Sequence, residues 1–114
     1  MMIKKKHMVK KVVLRNENNN EDSRYLSAQI NSNGELVFHG QDIGSGVEKI
    51  FGFVEYEWSW TIKKQDITQF ENVMGGGNIL LQVEKHFSGE KAADLFDFLK
   101  KNEIPFESWS RTGD

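Results

Sequence analysis

Along residues 54–62, Val54, Tyr56, Trp58, Trp60 and Ile62 alternate with Glu55, Glu57, Ser59 and Thr61. An extended chain points successive side chains to opposite sides, so this pattern predicts a β-strand with one apolar, aromatic face and one polar, largely acidic face. Stretches at 10–15, 24–30 and 35–39 predict three more strands, and 106–111, just after Pro105, a last one at a sheet edge, where strand addition by a second copy becomes feasible. The polar run 16–22, rich in Asn and acidic residues, predicts a flexible loop.

The hairpin joining 24–30 to 35–39 has two possible registers. A two-residue Asn33-Gly34 turn sets Leu36 and Phe38 opposite polar Asn31 and Gln29. A three-residue loop of Ser32, Asn33 and Gly34, with Gly34 left-handed, instead pairs Ile30 with Leu36 and Ala28 with Phe38 and gathers all four on one face. The hydrophobic pattern selects the second register.

Helical spacing appears in four places. Ser45 and Glu48 form a capping-box pattern ahead of Val47, Ile50 and Phe51, and Gly52 stops that short helix. Asp66 and Gln69 repeat the pattern for a helix carrying Ile67, Phe70 and Val73, which ends at Gly75-Gly76-Gly77. Asn78 then caps a helix with Ile79, Leu80, Val83 and Phe87, closed by Gly89. Residues 90–101 predict another, with Ala92, Leu95, Phe96 and Leu99 on one face and Lys100 and Lys101 at its negative end. Strands and helices together predict an α+β fold: a mainly antiparallel sheet of about five strands, packed on one face by about three helices. The 114 residues make one domain, 1–114, with 1–9 as a flexible basic arm.

Composition narrows the function classes. No cysteine is present, which excludes disulfides, thiolate metal sites and cysteine nucleophiles and fits a reducing, cytoplasmic setting. The lysine-rich start is followed by no apolar run of signal-peptide length, and no segment reaches the roughly 20 apolar residues of a membrane span. Six of the 15 basic residues lie at or before Arg15, leaving nine against all 17 acidic ones. An acidic body disfavours a phosphate-binding main surface, and Glu55 and Glu57 beside the aromatic stripe disfavour base stacking, so nucleic acid is not the expected partner. Tyr56, Trp58 and Trp60 are expected at the core or its edge.

Candidate chemistry is sparse. His39, Asp42 and Ser45 supply the residue types of a hydrolase triad, with His39 as general base and Asp42 as its partner, and they form the candidate ligand loop. No strand-to-helix elbow surrounds Ser45, which is better placed as a helix cap. The glycines at 40, 44, 46 and 52 match neither nucleotide-loop spacing. His39, Asp42, Glu48 and His86 lack metal-ligand spacing, so neither metal nor cofactor is expected.

Three blocks carry a resemblance: Phe38 through Glu48, Tyr56-Glu57-Trp58, and Ile104 through Arg111. They resemble segments of small uncharacterised bacterial single-domain proteins, over roughly residues 35–114. In size and acidic α+β character the chain is also similar to the immunity proteins that neutralise bacterial toxins. That similarity implies a protein-binding module whose partner is a basic toxin domain. Glu55, Glu57, Glu107 and Trp109 are the expected binding residues, with acids to steer encounter and aromatics to anchor it.

Overall fold

The computed structural model describes residues 10–19, 22–44 and 54–113. Five strands, β1 (Lys11–Asn19), β2 (Asp22–Ile30), β3 (Leu36–Ile43), β4 (Glu55–Ile62) and β5 (Glu107–Gly113), form one antiparallel sheet in sequence order. Between β4 and β5 lie α1 (Lys64–Val73), α2 (Ile79–His86), a 3-10 turn (Gly89–Asp94) and α3 (Leu95–Lys101). The expected basic arm and the Ser45–Glu48 capping helix fall outside the described residues.

The β2–β3 hairpin takes the register chosen by hydrophobic pattern: Ile30 pairs with Leu36, Ala28 with Phe38, and Gly34 has φ 79°. Alternation then places Leu26, Ala28, Leu36, Phe38 and Ile62 on one face, all buried. Phe70 of α1, Leu80 and Val83 of α2, and Leu95 and Leu99 of α3 close over them. Trp60 joins this core half-buried, its ring centroid 6.5 Å from Phe38, 5.3 Å from Phe96 and 5.5 Å from Phe106.

Four local expectations are corrected. Residues 16–19 are not loop: they continue β1 and pair with Asp22 through Tyr25. Their polar side chains stay exposed while the backbone gains ladder partners, so strand formation here needs no apolar face. β3 runs past His39 to Ile43. At α1 the Asp66–Gln69 capping box does not form. Lys63 occupies the N-cap without a side-chain hydrogen bond, Asp66 sits in the first turn, and the Gln69 amide donates instead to the carbonyls of Asn102 and Glu103 at 3.5 and 3.3 Å. The final helix is split, because 89–94 wind as a tight 3-10 turn that buries Ala92 before the α-helix begins at Leu95. Asn78 caps α2 as expected, its Oδ1 accepting from the Leu81 amide at 3.2 Å. Among the described residues, no helix is long and apolar enough to cross a membrane.

Candidate functional site: the uncovered face of the sheet

All described helices pack on one face of the sheet, and none of them packs on the other. Strand register organises that second face into lateral rows. One runs Val13, Ser27, His39, Ser59, Trp109, and the next runs Asn16, Tyr25, Gln41, Glu57, Arg111. Glu55 and Glu107 follow from the same parity on β4 and β5. The four residues Glu55, Glu57, Glu107 and Trp109 therefore share one surface, although they come from strands 40 or more residues apart in sequence.

The middle of this surface is a hydrogen-bonded network. Glu57 Oε2 lies 2.7 Å from His39 Nε2, and its Oε1 accepts from Arg111 at 2.6 Å. A carboxylate can only accept, so the His39 proton in this contact resides on Nε2. The hydrogen bond from His39, and then that from Arg111, hold the Glu57 carboxyl below its ordinary range; Glu57 in turn raises the Arg111 guanidinium. Gln41 donates to Glu55 at 2.5 Å, and Tyr25 meets the His39 ring edge-on, with centroids 6.4 Å apart. Glu107 is bridged by Lys63 at 3.3 Å, both side chains largely in solvent. Each of the three carboxylates thus has a positive or amide partner within the chain, and the surface is less acidic than the sequence of β4 alone implies. Trp109 is half exposed, at 50%.

The opposite face has its own polar end, beyond the helices. Its rows there run Arg15, Leu26, Gly40, Trp58, Ser110 and Glu17, Arg24, Asp42, Tyr56, Thr112. A register shift between Val13 and Arg15 inserts one extra residue in β1, which turns both Leu14 and Arg15 toward the helix side. Arg15, Asp42, Trp58 and Phe96 then line a recess of about 140 Å³. Burial raises the Asp42 carboxyl above its ordinary range, against the lowering pull of Arg24 and Arg15.

Of the candidate ligand loop, His39 and Asp42 sit three positions apart on one strand and so point to opposite faces. His39 bonds Glu57 on the uncovered face, while Asp42 joins the recess on the helix side. Ser45 falls outside the described residues. Among the described residues no group of three His, Cys, Asp or Glu side chains is placed to hold a metal ion.

Tyr25, Gln41 and Arg111 belong to the uncovered surface but are absent from the expected binding set. Parity could have supplied them: once Ala28 and Phe38 face the core, Tyr25 and His39 face away, and Arg111 shares the parity of Trp109. Arg15 could not be placed this way, because the bulge reverses its side. Comparisons with protein-family models, curated proteins and solved structures find no match for this chain.

Proposed function

We propose that this chain is a protein-binding module that presents the uncovered face of its sheet, with Trp109 as anchor. The observation that carries this reading is a half-exposed tryptophan beside a preformed His39–Glu57–Arg111 network on a face that none of the described helices covers. Tryptophan, tyrosine and arginine dominate binding energetics at protein interfaces, and side chains already fixed by mutual hydrogen bonds lose little entropy on docking. In its more specific form the partner is a basic toxin domain, occluded as immunity proteins occlude theirs. Glu55, Glu57 and Glu107 on the same surface support that form. Arg111 and Lys63 offset part of their charge, so anchoring contributes more to affinity than long-range steering does.

The test is affinity capture from cells, followed by binding kinetics on the retained protein. Trp109→Ala is expected to weaken binding by about 2 kcal/mol, roughly 30-fold, mainly through faster dissociation. Glu55→Lys with Glu57→Lys slows association and flattens its salt dependence. Unchanged affinity and kinetics in both variants would remove the uncovered face as the binding surface.

A further inference from the structure

β5 is the last strand of the sheet and pairs only with β4, so among the described residues its outer edge has no strand partner. Exposed edges present a row of backbone donors and acceptors that template another strand. Among the described residues neither proline nor lysine interrupts this edge: Pro105 lies before the strand, and Glu107 through Arg111 contain neither. The side chains along it are also self-complementary. Read in either direction, the order is charge, serine, tryptophan, serine, opposite charge, from Glu107 through Ser108, Trp109 and Ser110 to Arg111.

We propose that β5 pairs antiparallel with β5 of a second copy of this chain, on a two-fold axis through Trp109. In that register Glu107 stands opposite the partner's Arg111, Arg111 opposite the partner's Glu107, and each Trp109 opposite its mate. Moving the axis by one residue in either direction loses both charge pairs, so charge complementarity selects a single register. Such an axis makes an isologous dimer, the commonest oligomer symmetry, and joins the two sheets into one of ten strands.

The helix side of the same edge fits this arrangement. A groove of about 680 Å³ beside Ser108 is lined by Phe96, Leu99, Ile104, Pro105 and Phe106 together with the charged Lys100 and Glu103, and Phe96 is 42% exposed. With Ser108 opposite the partner's Ser110, only hydroxymethyl groups stand near the axis on this side. The partner's strand can therefore approach this mixed apolar and charged groove without steric obstruction from the seam. This pairing draws Glu107, Trp109 and Arg111 of the surface proposed above into the seam between copies, but self-association of the chain alone needs no other partner, so its test can fail separately from that reading.

Sedimentation velocity over a concentration series of the full chain is the first measurement, and reversible association into two-chain particles is expected. Glu107→Arg and Arg111→Glu each place like charges opposite at both ends of the pairing. Each alone should weaken self-association by at least about tenfold. An equimolar mixture of the two places every arginine opposite a glutamate and should restore pairing as a heterodimer. A parent chain that stays single, single variants that associate as well as the parent, or a mixture that associates no better than its components would each overturn the proposal.

A second readout does not depend on those charges. The chain has no native cysteine, and directly opposite residues of an antiparallel pair lie about 4.5–5.5 Å apart, within disulfide reach. Trp109→Cys should therefore oxidise to a covalent pair, whereas Glu90→Cys, on the 3-10 turn, should not. Equal crosslinking of both, or none at position 109, would overturn the register.

Discussion

Gly40 is defined by the side chain it lacks. A Cβ there would fall 2.2 Å from two carbons of the Trp58 ring, which lies against the backbone of β3 across the strand pair. Gly40→Ala must displace the indole or part the strands, so a loss of about 1–3 kcal/mol is expected in denaturant unfolding. The sequence shows the glycine but not its partner, and the strand expected over 35–39 stops just before it. A glycine inside a strand marks a close approach, and here the approaching group is an aromatic ring from the neighbouring strand. The same extension of β3 separates His39 from Asp42. Their proximity in sequence signals shared chemistry only in a loop; in a strand, an odd spacing puts them on opposite sides of the sheet. Arg15 shows the reverse difficulty: simple alternation sends it to the uncovered face, and one inserted residue returns it to the helix side.

Element boundaries follow how local the forces are that set them. At Asn78 the cap is a contact within one turn: Asn78 directly precedes α2, and Leu81 lies in its first turn. Asn78→Ala is expected to lower stability by about 1 kcal/mol in thermal or urea unfolding, since the Leu81 amide loses its acceptor. The same reasoning applied to Asp66 and Gln69 misplaces the start of α1, because Gln69 is drawn to the chain after α3, more than thirty residues away. No local pattern encodes that contact. The hairpin loop was legible for the opposite reason: burial of Ile30, Ala28, Leu36 and Phe38 on one face admits a single register. The polar arms of β1 and β2 were not legible, because strand pairing there rests on backbone hydrogen bonds that leave no hydrophobic trace.

For the molecule as a whole, the five strands and the helical layer were legible because period-two and period-3.6 patterns survive in the sequence. What the patterns left open was which charges meet. Glu57, held below the ordinary carboxylate value of 4.5 by His39 and Arg111, binds protons less readily folded than unfolded. Its contribution is therefore present above pH 4.5 and is lost as pH falls through the lowered folded value. Asp42 works in the other direction: raised by burial, it favours the native state when protonated, and that gain disappears as pH rises through its folded value. Glu57→Gln should accordingly flatten the acid limb, losing less stability than the parent in urea midpoints as pH falls below the ordinary carboxylate value. An unchanged limb would mean that the network survives in the unfolded chain or contributes nothing to it. The placement of the tryptophans has an optical consequence. Trp58 and Trp60 lie with centroids 4.5 Å apart at 32°, near enough for their excited states to couple, whereas Trp109 is half exposed on the other side of the sheet. The chain thus carries two separate spectroscopic reporters: an exciton-coupled pair for the seam between sheet and helices, and a single red-emitting indole for whatever meets the open surface.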